Sequence, residues 1–125
     1  MYIYNDFKDL NLPTLKHIKA LNYAVNVLKE NDIVDLIWLY GSCAKNKAKY
    51  NSDIDLLIES KINEEITTNI ILDIAKSVIS NDYSLPYVDA KIIKYNSFED
   101  NSFFRNFVKD RILIFKRFMC IYRKL

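Results

Sequence analysis

A small α/β domain, with a mixed sheet flanked by helices (α/β to α+β), is the fold class that this sequence predicts. Three observations lead to it. Apolar residues recur at steps of three and four near 12–30 and again over 63–80. Short runs rich in β-branched and aromatic residues stand at 34–40, 53–59, 87–95 and 111–115. The two patterns alternate along the chain, so strands and helices must pack in layers.

The first element is a helix over about 12–30, with Leu15, Ile18, Leu21, Val25 and Leu28 as its apolar stripe and Pro13 in its opening turn. His17 falls off that stripe and reads as an exposed polar residue. "VDLIWLY", ending at Gly41, is a buried strand, followed by a short helical turn in "SCAKNKA". "DIDLLIE" is the second strand. Asn63 caps the next helix, Glu64 and Glu65 occupy its first turn, and Ile66, Ile70, Ile74 and Val78 share one face. "YVDAKIIKY" is a third strand with Pro86 at its edge, 100–109 a short Phe-rich helix, and "RILIF" a fourth strand. This gives one domain, 1–125: the N-terminal helix, a core of about 34–115, and a basic-apolar tail over 116–125.

Composition narrows the class of function. Half of the 125 residues are hydrophobic and 27% are charged, which suits a globular domain. A net charge of +2 argues against a protein that coats nucleic acid, so direct nucleic-acid binding is not expected. No apolar stretch approaches about 18 residues, and no charged segment leads into an apolar run and a cleavage site. Membrane association is therefore not expected. Cys43 and Cys120 lie far apart with a single histidine in the chain, which disfavours zinc and fits a reducing, cytoplasmic setting.

The chemistry concentrates in "LYGSCAKNKAKYNSDIDLLIES", which holds the only glycine, Gly41. On a strand, Asp53 and Asp55 share one face, about 6–7 Å apart, while Ile54, Leu56 and Ile58 take the other. Like charges near a surface repel by on the order of 4 kcal/mol at close approach. A magnesium ion would offset that repulsion and take the oxygens as ligands. Asp89 interrupts the strand "YVDAKII" in the same way. If that strand neighbours "DIDLLIE", three carboxylates converge, enough for two Mg2+ ions to align a hydroxyl and a leaving pyrophosphate. Gly41 lets backbone approach a phosphate, and the Ser42 hydroxyl and nearby amides can donate to its oxygens. Lys45, Lys47 and Lys49 add positive charge or are simply solvated.

"GS", ten residues, then "DID", preceded by "LIWLY" and followed by "DLLIE" and the later "VDAKII", resembles the minimal nucleotidyltransferase signature of the DNA polymerase β superfamily. The resemblance spans about Asp35 to Phe115. It implies a polymerase β palm-like fold, with Asp53, Asp55 and Asp89 as catalytic and metal-binding acids and Gly41 and Ser42 at the nucleotide. Family members carry an arginine after "GS" and a second glycine a few residues on; Cys43 and Asn46 stand there instead. Asn tolerates left-handed backbone, so the turn is expected to survive, with Lys45 compensating for the arginine.

Larger relatives append a domain for the acceptor, which this chain is expected to lack. Its size and motif spacing resemble the antitoxins of HEPN–MNT toxin–antitoxin modules. That resemblance implies transfer of AMP from ATP to a tyrosine of a HEPN ribonuclease toxin. Asp89 would help to deprotonate the tyrosine, and Asp53 and Asp55 would anchor both ions. Two alternatives stay open: an antitoxin that acts by binding alone, and a nucleotidyltransferase for a small molecule such as an antibiotic. Phe98, Phe103, Phe104, Phe107, Phe115 and Phe118 read first as core and second as a docking surface.

Overall fold

The computed structural model describes residues 2–4, 10–61, 69, 72–77, 83–94, 105 and 109–117. Among these, the elements run β1 (Tyr2–Tyr4), α1 (Leu15–Lys29), β2 (Leu36–Tyr40), α2 (Gly41–Ala44), β3 (Ile54–Ser60), β4 (Val88–Lys94) and β5 (Ile112–Arg117). The strands form one sheet in the order β1-β5-β2-β3-β4. Only β3 and β4 pair in parallel; the other neighbours are antiparallel. The mixed α/β architecture matches the prediction. A parallel pair needs a crossover, and the helical residues 72–77 lie in the β3–β4 connection. The remainder of the expected helices over 63–80 and 100–109, and the tail beyond Arg117, lie outside the described residues.

One face of the sheet makes the main core. Ile37, Leu39, Ile54, Leu56, Ile58, Val88 and Ala90 bury there against Leu21, Val25 and Leu28 of α1. Full burial of each such aliphatic side chain contributes about 1.5–3 kcal/mol. Ile74, from the crossover helix, and Phe115 of β5 join the same cluster. Phe115 is thus core; the other phenylalanines named above lie outside the described residues. Tyr40, Leu57 and Ile93, with Trp38 against them, form a smaller cluster on the opposite face.

The structure corrects the reading of α1. Leu15 is 82% exposed, whereas His17 is completely buried. The true stripe is His17, Ala20, Leu21, Ala24, Val25 and Leu28. Ala20 and Ala24 count little as hydrophobes, but their small side chains let the helix lie close to the sheet, which centres the buried stripe on them and draws in His17. Thr14 caps the helix, its Oγ1 accepting from the His17 backbone N–H at 3.2 Å. The imidazole Nε2 faces the Ser52 carbonyl at 2.8 Å, so it carries the hydrogen; Nδ1 meets Thr14 Oγ1 at 2.7 Å. His17 therefore ties the start of α1 to the loop before β3. His17→Ala is expected to lower stability by about 2–4 kcal/mol in urea denaturation, because it opens a cavity and orphans the Ser52 carbonyl.

Two further differences concern the sheet margins. Tyr2–Tyr4 adds an edge strand that the sequence pattern does not announce, since three residues are too few to show alternation. Arg117, assigned by sequence to the tail, belongs to β5. Its guanidinium donates to the carbonyls of Lys29, Asn31 and Val34 at 2.8, 3.2 and 2.9 Å, satisfying the C-terminal end of α1 and the turn after it. Among the described residues, no helix is long and apolar enough to cross a membrane.

Candidate active site

Strand register assembles the site. Tyr40 on β2 is opposite Asp55 on β3, and Asp55 is in register with Asp89 on β4. The three side chains thus form one row across neighbouring strands, on the face that bears the smaller apolar cluster. Neighbouring strands run about 4.8 Å apart, so the two carboxylates are forced together. Lys91, two residues beyond Asp89 and on the same face, places Nζ 2.6 Å from Asp89 Oδ2.

Electrostatics follow from this crowding. The Asp55 carboxyl is pushed up, first by burial and then by the Asp89 charge; Lys91 opposes the shift, and Asp53 adds least. The Tyr40 hydroxyl is also raised by burial, against the pull of Lys91, which hydrogen-bonds to it. The Lys91 ammonium is stabilised chiefly by its hydrogen bond to Asp89.

Gly41 begins α2 directly at the end of β2, with φ +73°. A Cβ on it would lie 2.6 Å from Asp55 Oδ2 and 3.4 Å from its Cγ. The nearest obstacle to a side chain here is the Asp55 carboxylate, where the sequence had suggested a phosphate. Asn46 takes φ +60°, the left-handed conformation expected of it. Ser42 is half-buried in α2. Lys45 lies 3.9 Å from Asp110, and the side chains of Lys47 and Lys49 project into solvent.

Asp53 differs from its predicted place. It is exposed and precedes β3, whose first residue is Ile54. Its carbonyl accepts from the Cys43 thiol at 3.6 Å, and the preceding carbonyl, of Ser52, accepts from His17. Side chains, not a neighbouring strand, hold this backbone, and the ladder resumes where Ile54 N–H donates to the Tyr87 carbonyl at 2.9 Å. Among the described residues, no three acidic, histidine or cysteine side chains stand grouped as a metal-ligand set; Asp55 and Asp89 come together, and Asp53 reaches Asp55 as the weakest of the charges around it. Cys43 is a free, buried thiol pushed up to about 11 by burial and by Asp55 and Asp53, so it is protonated at neutral pH. Cys43, directly after Ser42, thus anchors the loop carrying Asp53.

Asp53 also lines an open pocket of about 640 Å³ between the start of α1, the 50–53 loop and the 84–87 loop. Leu15, Tyr50 and Tyr87 are exposed around it. Sequence reasoning missed Tyr40 and Lys91. With the parallel pairing of β3 and β4 known, "IDLLI" laid beside "VDAKI" sets Asp55 against Asp89 and Leu57 against Lys91.

The donor set suits a hard divalent cation. Both paired groups offer carboxylate oxygens, and the repulsion from Asp89, which adds to burial in pushing Asp55 up, is what such an ion relieves.

The family model described as polymerase beta, nucleotidyltransferase matches residues 22–118, which include every acid of the row. Among solved structures, the chain is similar to the crystal structure of a candidate nucleotidyltransferase from Sulfolobus solfataricus. It is 19% identical, with 79% of each chain covered and a TM-score of 0.47. No curated protein sequence matches the chain.

Proposed function

Because the chain belongs to the polymerase β nucleotidyltransferase family, we propose that it transfers AMP from ATP to a tyrosine hydroxyl of a HEPN-type ribonuclease toxin and thereby silences it. The observation that carries the transfer chemistry is the in-register pair Asp55 and Asp89 beside the Gly41 turn. The choice of acceptor is supported by the resemblance of the motif spacing to the antitoxins of HEPN–MNT modules.

In this reading Asp55 and Asp89, with Asp53 brought in from its loop, hold Mg2+. Bound there, the metal would neutralise the triphosphate and stabilise the leaving pyrophosphate. Gly41 and Ser42 receive the phosphates at the end of β2. The acceptor oxygen forms the new bond to the α-phosphorus, the bond to pyrophosphate breaks, and Asp89 takes the hydroxyl proton. Before metal binds, Lys91 holds Asp89 on the reacting face.

The test is incubation with labelled ATP, magnesium and the product of the adjacent gene, followed by mass spectrometry of that product. AMP on a tyrosine, lost with Asp53→Ala plus Asp55→Ala, is the expected result. Tight binding and inhibition of the toxin without nucleotide, with no label transferred, would establish a binding antitoxin instead.

A further inference from the structure

Lys91 stands where a chain built only to collect cations would not place a lysine. It lies on the acid-bearing face, its Nζ is 2.6 Å from Asp89 Oδ2, and its field reaches Tyr40 and Asp55 as well. An isolated surface ion pair would need no explanation. This one sits against two carboxylates that strand register forces together, both of them half-buried. A single ammonium relieves part of their repulsion. A divalent ion at the same oxygens would meet that ammonium as a like charge, at a distance where such pairs repel strongly. The side chain of Lys91 is 43% exposed and has a flexible four-carbon stem, so it can withdraw along the face of β4.

We propose that Lys91 is a tethered cation that neutralises the Asp55–Asp89 pair when no divalent ion is bound and must leave Asp89 for one to bind. The proposal rests on the metal-dependent reading above. Lys91 is then a positioning residue that sets the metal affinity of the site: it keeps the empty acids in place and raises the metal concentration needed to load them. Phosphate oxygens of a nucleotide offer the displaced ammonium a second partner, which would couple metal loading to nucleotide binding.

The experiment measures Mn2+ binding to the nucleotide-free protein by electron paramagnetic resonance, and melting temperature in EDTA and in Mn2+. Lys91→Met keeps the stem and removes the charge. It is expected to bind Mn2+ about tenfold more tightly than the parent, to melt lower in EDTA, and to recover in Mn2+. Lys91→Arg keeps the charge and is expected to bind Mn2+ like the parent. Equal or weaker Mn2+ binding by Lys91→Met, with the parent binding measurably, overturns the role of Lys91 and leaves the metal site standing. Failure of parent and both variants to bind Mn2+ overturns the metal reading and this proposal together.

Discussion

Asp55→Asn is expected to lower nucleotidyl transfer about a hundred- to a thousandfold while the protein becomes more resistant to heat in EDTA. The substitution preserves shape, so β3 keeps its ladder to β2 and β4. What it removes is a charge that the fold disfavours, through burial first and the facing Asp89 second. A residue kept against stability is a sign of function. The measurements are transfer to the acceptor and melting in EDTA, with magnesium added to both proteins in a second series. Magnesium should raise the melting temperature of the parent and have much less effect on the variant. A variant that melts lower than the parent in EDTA would show that the Asp55 charge supports the fold, against the crowding argued here.

Gly41→Ala is expected to cost about 1–3 kcal/mol of stability and to abolish transfer. Two effects add. An alanine at φ +73° is strained by its own backbone, and its Cβ would press within 2.6 Å of Asp55 Oδ2. The second effect can be isolated. In an Asp55→Ala background the obstructing oxygen is gone, so Gly41→Ala should cost less there than in the parent. A coupling of about 0.5–3 kcal/mol between the two positions is the expected outcome of the double-mutant cycle, read by urea denaturation. Equal costs in both backgrounds would mean that backbone strain alone retains the glycine. The two aspartates and the glycine are then one feature: the turn is open because the carboxylate fills it.

The stripe of α1 shows where pattern reading loses information. Leucine, isoleucine and valine mark a helix face, but Ala20 and Ala24 set how closely that face approaches the sheet. Counting them moves the stripe by less than one residue spacing, enough to expose Leu15 and bury His17. Nothing local to His17 signals this, because its partner carbonyl belongs to Ser52, thirty-five residues away. Asp53 was misplaced for a related reason. Alternation in "DIDLLIE" predicts a strand from its first residue, yet the thiol of Cys43 and the imidazole of His17 take the carbonyls that a continued strand would use.

The sequence by itself determined the class of fold, the acids and glycine of the signature, and the family, because periodicity and motif spacing are local properties of the chain. It also determined that Asn46 could take the left-handed turn vacated by a glycine. Tertiary structure alone decided which carboxylates face each other, since pairing of β3 with β4 is a long-range event that no spacing encodes. That pairing brought Lys91 to the acids, while the pairing of β2 with β3 brought Tyr40 and set the Asp55 side chain against Gly41, a second reason for the glycine. Register, set by burial of Ile54, Leu56, Val88 and Ala90 on the opposite face, is the physical link: a slip of one residue would have sent the acids into the core.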